Sequence, residues 1–82
     1  MDEDLAHELK LSIKASYFLS LTHWQVRDKS RMPLEYLIRM EQGFVEGYAL
    51  INEADVTLEY LRRLVIFHRR MQSLQIEFAH LF

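Results

Sequence analysis

Thr57, Tyr60, Leu64, Phe67, Met71, Leu74, Phe78 and Leu81 recur at alternating spacings of three and four, an unbroken apolar repeat through the last third of an 82-residue chain. Such spacing keeps one face of an α-helix in register with a neighbouring helix along its whole length, so the segment reads as a long packing helix. The rest of the chain offers this reading little competition. It holds one proline, two glycines and no cluster of β-branched residues, so strand and turn signals are nearly absent. An all-α fold is expected, with helices over about residues 3–27, 33–51 and 55–81 of one helical domain spanning 1–82.

Local chemistry sets the joints. Asp2, Glu3 and Asp4 put carboxylates where the unpaired N–H groups and dipole of a helix start favour them. After Asp28-Lys29-Ser30-Arg31-Met32, Pro33 suits the first turn of helix 2, because a helix start leaves its missing N–H unneeded; Met32 before it is pushed out of the helical region. Asn52-Glu53-Ala54-Asp55 makes a short joint, with Asp55 as the expected N-cap of helix 3. So brief a connection implies an antiparallel helix 2/helix 3 hairpin.

Charge supports that hairpin. Residues 33–55 hold Glu35, Glu41, Glu46, Glu53 and Asp55 against Arg39 alone, whereas residues 56–82 hold Arg62, Arg63, Arg69 and Arg70 against Glu59 and Glu77. Folding back near Ala54 would set Glu46 opposite Arg62-Arg63, and Glu41 opposite His68 and Arg69. Such pairs orient helices more than they stabilise them: an exposed ion pair contributes about 0–1 kcal/mol, a buried Leu or Phe about 1.5–3 kcal/mol.

Helix 1 has two apolar stripes. Leu5, Leu9, Ile13, Tyr17 and Trp24 form one; Leu11, Ala15, Phe18 and Val26 form another, roughly opposite, with Leu19 and Leu21 on the flanks. Leu58, Val65, Ile76 and Ala79 make a weaker second stripe on helix 3. With half its residues hydrophobic and 12% aromatic, a domain this small has more apolar surface than one core covers. A homodimeric helical bundle is therefore expected.

Catalytic equipment is not legible. No glycine-rich phosphate loop or nucleophile elbow occurs, and Glu41, an acid within the apolar arc of helix 2 (Leu34, Leu37, Ile38, Phe44, Val45, Tyr48), has no second carboxylate to make an acid–base pair. Its expected role is a pair with His68 or Arg69, or exposure at the bundle edge. Glu77 and His80 match the Glu-x-x-His spacing of di-iron bundles, yet fall on the side of helix 3 opposite the seam, where no bundle-core metal could sit. No enzyme activity, cofactor or metal site is expected. Ser12, Ser16 and Ser20, like Gly43 and Gly47, recur at four-residue spacing, which suits a close helix crossing within the chain.

Binding remains. Arg62, Arg63, Arg69 and Arg70 project from the seam with Ile66 and Ser73 among them, a basic face two turns long that could hold an acidic protein or phosphates. The net charge of −2 argues against nucleic acid as the main partner. The expected function is that of a small non-enzymatic protein-binding protein: a regulator, inhibitor, adaptor or chaperone. Its expected contacts are Phe18, Trp24, Tyr36, Arg62, Arg63, Arg69 and Arg70, since aromatic and arginine side chains dominate interface energetics. A nucleic-acid-binding dimer using the same arginines is the alternative. No apolar run is long enough to span a bilayer and the start is acidic; with no cysteine for a disulfide framework, a cytoplasmic setting is expected.

Overall fold

The computed structural model describes residues 2–81, the side chain of Leu81 excepted, so the last seam position lies outside the described side chains. Three helices account for the fold: α1 (Glu3–Val26), α2 (Leu34–Ile51) and α3 (Leu58–Leu81). No strand occurs among the described residues. The Asp2 carboxylate caps α1, accepting from the backbone N–H of Asp4 at 2.9 Å and of Leu5 at 3.3 Å.

Two helix starts differ from expectation. Pro33, expected inside the first turn of α2, precedes it with an extended ψ of 140°, while its carbonyl accepts the first helical bond from Leu37 N–H at 3.1 Å. Asp55 is not the cap of α3. Val56 packs against the core, and Thr57 takes the capping position, its hydroxyl accepting from Tyr60 N–H at 3.1 Å. Thr57 is thereby an exposed cap rather than the first seam residue.

The seam supplies the largest share of the core. Tyr60, Leu64, Phe67, Met71, Leu74 and Phe78 are all buried, Leu64 completely. From α1 come Ala6, Ile13, Tyr17 and Trp24, whereas Leu5 and Leu9 stay exposed. Steps of four drift by about 40° each on a helix of 3.6 residues per turn, so a stripe aligned at Ile13 and Tyr17 has rotated off the core by Leu5.

Helix α2 is turned further from its expected orientation. Of the apolar arc only Phe44 is buried and Leu37 partly so; Leu34, Ile38, Val45 and Tyr48 are exposed. Tyr36, Met40 and Ile51 face inward instead, together with Gly43 and Gly47. The glycines explain the rotation. A Cβ on Gly43 would collide with the Met71 thioether, and one on Gly47 with the Phe67 and Tyr17 rings. The bare backbone of α2 is therefore what lets α1 and α3 close in, and side chains opposite the glycines are left outside.

Polar ties then fix the packing. The Tyr17 hydroxyl donates to Phe44 O at 2.5 Å and the Tyr60 hydroxyl to Leu50 O at 2.8 Å. Lys10 Nζ donates to Glu53 O at 2.6 Å, so a cation from α1 sits near the C-terminal end of α2, whose own last turn has no basic residue. Burial pushes the phenol pKa of Tyr17, Tyr36 and Tyr60 up, which keeps these hydroxyls protonated.

Candidate functional site

Two of the expected contact residues are core residues. Trp24 is only 5% exposed and Tyr36 only 7%; the Tyr36 ring stacks on Phe78 at 3.9 Å with 12° between planes. Neither can anchor a partner on the surface. Both were expected there because aromatic identity does not reveal which side of an amphipathic helix faces in, and α2 is rotated by its glycines. The Trp24 indole N–H donates to Glu41 Oε1 at 2.7 Å, so Glu41, exposed as the second of its expected roles has it, satisfies a core tryptophan and does not pair with His68 or Arg69.

The four arginines divide into two kinds. Arg63 meets Glu53 at 2.8 Å and Arg70 meets Glu46 at 2.5 Å, while Arg39 of α2 meets Glu77 of α3 at 3.7 Å. Residue numbers fall along α2 as they rise along α3 through these pairs. Glu46 was expected at the Arg62-Arg63 level; it meets Arg70 because α3 begins at Leu58 and not near Asp55. Each paired arginine also rests on a seam ring: Arg63 over Tyr60 and Arg70 over Phe67, each at 5.8 Å. Arg62 and Arg69, exposed on the outer side of α3, have no ion pair among the described residues.

Between the paired arginines lies a cleft of about 370 Å³, lined by Glu46, Ala49, Leu50, Glu53, Arg63, Ile66, Phe67 and Arg70. Its lining combines the apolar Ala49, Leu50, Ile66 and Phe67 with both Arg–Glu pairs. Ile66 is 64% exposed and sits on the same side of α3 as Arg62 and Arg69, since steps of three and four return to one helix face. Sequence reasoning found Ile66 among the arginines but not the cleft, which exists only once α2 lies alongside.

The rest of the surface offers less. A smaller cavity of about 90 Å³ between α1 and α3 includes Ser16, Ser20, His68 and Gln75 in its lining, so Ser16 and Ser20 border α3 while Ser12 is exposed. Glu77 and His80 are exposed, and no group of three or more His, Asp or Glu that could hold a metal occurs among the described residues. Among the described residues, no helix is long and apolar enough to cross a membrane. Phe18, 39% exposed, stands on α1 with its ring edge-on to Tyr17 at 5.1 Å, apart from the arginine cleft. No protein-family model matches the sequence, no curated protein is significantly similar to it, and no solved structure matches its fold.

Proposed function

We propose that this chain is a small non-enzymatic protein-binding protein of the cytoplasm, a regulator, inhibitor, adaptor or chaperone, built on an antiparallel α2/α3 hairpin and assembling as a homodimer. The ordered pairs Glu53–Arg63, Glu46–Arg70 and Arg39–Glu77 support the hairpin. A chain without cysteine suits a reducing compartment.

One observation carries the binding assignment: a cleft that sets apolar side chains among two Arg–Glu pairs, beside Arg62 and Arg69, which have no ion pair among the described residues. Guanidinium and carboxylate groups already bonded to each other at the rim suit holding a segment rather than moving protons. A partner segment with one apolar side chain for Ile66 and Phe67, and acidic residues for Arg62 and Arg69, would complement the cleft in charge and polarity.

Nucleic acid is the alternative, favoured only by the same free arginines. Charge compensation of Arg63 and Arg70 by Glu53 and Glu46 leaves two cations rather than four, too few for a strong phosphate-binding face. A single comparison tests both. The wild-type protein and an Ile66→Asp/Arg62→Glu/Arg69→Glu variant are used to capture proteins from the source lysate, and wild type is titrated with DNA and RNA at low salt. Protein captured by wild type and lost with the variant supports the proposal. Tight, steeply salt-dependent nucleic-acid binding with no differential capture overturns it in favour of the alternative.

A further inference from the structure

The outward face of α1 is unlike the rest of the surface. Leu11, Ala15, Phe18, Leu19, Thr22 and Val26 lie opposite the buried Ile13, Tyr17 and Trp24, at spacings that bring them to one side of a helix. Leu11 is 63% exposed, Leu19 59% and Val26 81%. No residue of this lane carries charge. Its one hydroxyl, on Thr22, already donates to Phe18 O at 2.9 Å, so covering it would strand no polar group. The Phe18 ring is held edge-on against Tyr17, an anchor ordered in advance.

Charge collects at the two ends. Residues 2–8 hold Asp2, Glu3, Asp4 and Glu8 with no Lys or Arg, and residues 27–31 hold Arg27, Lys29 and Arg31 against Asp28. The helix dipole favours this polarity, but it gives no reason for an apolar exposed lane between the ends. A second α1 laid antiparallel supplies one: the uncharged middles meet each other, and each acidic start comes to the end where Arg31 is exposed, Arg27 and Lys29 resting there on the Phe78 and Trp24 rings.

We infer that the outward face of α1 is covered by a second copy of this chain, with the two α1 helices antiparallel about a two-fold axis passing between Phe18 and Leu19. This rests on the homodimer reading above and assigns its surface. Leu11 then faces Val26 of the second copy, Ala15 faces its Thr22, and Phe18 packs against its Leu19. Large residues meet large ones, and the smaller pair between them lets the helices approach, as an isologous contact requires. A foreign partner with charges on its contact face would leave them unpaired against this lane; a second copy brings none.

Size bears on strength. The lane is about 24 Å long and about 12 Å wide, so two copies cover roughly 600 Å² in projection, less than the 1,200 Å² or so of a standard interface. A contact of that size suits a weak, reversible association. A dimer with a dissociation constant on the order of micromolar is expected.

The test combines mass with cross-linking in the full chain, which has no native cysteine. Sedimentation should give a dimer at concentrations on the order of 100 micromolar. Leu19→Glu sets two carboxylates together at the axis and should weaken it about 100-fold or more, with helical circular dichroism unchanged. Under mild oxidation Leu19→Cys should cross-link with itself. Leu11→Cys should not, because its two copies lie about 22 Å apart along the helices, yet it should cross-link when mixed with Val26→Cys. A monomer at every concentration would overturn both this assignment and the homodimer. A dimer that survives Leu19→Glu, or that cross-links through Leu11→Cys alone, would overturn the assignment while leaving the homodimer standing. Neither result touches the α3 cleft, whose variants are separate.

Discussion

Two exposed helix faces of this molecule are both rich in branched apolar side chains, yet they differ in what accompanies them. On α1 the lane around Phe18 and Leu19 is free of charge, whereas on α3 Leu58, Ile66 and Ile76, at 56–64% exposure, are interleaved with Arg62 and Arg69. Apolar area alone does not distinguish the faces. Charge does: an uncharged face is complementary to another uncharged one, including its own copy, while unpaired guanidinium groups select for an acidic surface and exclude a basic one. The buried layer between them serves both, so a change in the core should abolish both faces and a change at the surface should separate them.

Leu64→Ala should have the largest effect. The side chain is fully buried at the centre of the seam, so truncation removes transfer energy and leaves a cavity, costing about 2–5 kcal/mol. In a domain of this size each kcal/mol lowers Tm by about 4–8 °C. Thermal unfolding by circular dichroism measures this, and both faces should lose binding together. A loss under about 1 kcal/mol would mean that the seam does not hold the helices.

Gly47→Ala comes next. The added methyl would meet the Phe67 and Tyr17 rings, and aromatic rings packed in a core cannot withdraw as a flexible chain end could. Overpacking of this kind costs about 1–3 kcal/mol, against the modest gain alanine brings through helix propensity. Gly43→Ala should be milder, because the Met71 thioether it meets can change rotamer. Urea denaturation of the two variants side by side gives the order; equal or higher stability of Gly47→Ala would refute the close crossing.

These glycines also mark where the sequence ceases to be legible. The seam of α3 could be read residue by residue because its repeat is strict, and all of its described members from Tyr60 to Phe78 are buried. On α2 the apolar residues spread around much of the helix, so periodicity alone could not say which side packs. The rotation came from backbone approach at Gly43 and Gly47, a property of helix pairs rather than of one helix. The same rotation puts Tyr36 in the core and leaves Val45 at 72% exposure. The arginine face was visible as a pattern, but the division into compensated Arg63 and Arg70 and free Arg62 and Arg69 required the register between α2 and α3. That register follows from Thr57, not Asp55, capping α3.

Alkaline pH provides a gentler assault on the shared core. Burial raises the pKa of Tyr17, Tyr36 and Tyr60 above the ordinary value of 10.0, so the folded state holds these protons more tightly than the unfolded chain. The associated stability is fully present below the unfolded pKa near 10 and is lost as pH rises through the higher folded values. Urea midpoints should therefore be level from about pH 7 to 9.5 and fall above pH 10 or so. Tyr60→Phe should reduce that fall, since it removes one of the three ionisations. A midpoint unchanged up to pH 11.5 or so would contradict burial of the phenols.

The smallest effects on intrinsic stability should separate the two outer faces most clearly. Leu19→Glu on α1 and Arg69→Gln on α3 alter exposed side chains, and such changes usually move the stability of an isolated chain by no more than about 0.5 kcal/mol. Linkage distinguishes them. If a second copy covers α1, dimerisation stabilises the folded state by mass action, and each tenfold rise in concentration adds about 1.4 kcal/mol per dimer once the dissociation constant is exceeded. Wild type and Arg69→Gln should then both show a Tm that climbs with protein concentration, while Leu19→Glu should show a flat one. A flat Tm in wild type, or a slope that Leu19→Glu retains, would leave the α1 lane with no copy to cover it and would remove the difference in role between the faces. A slope lost in Arg69→Gln instead would transfer self-association to α3, where two like-charged faces would have to meet with other acids between them.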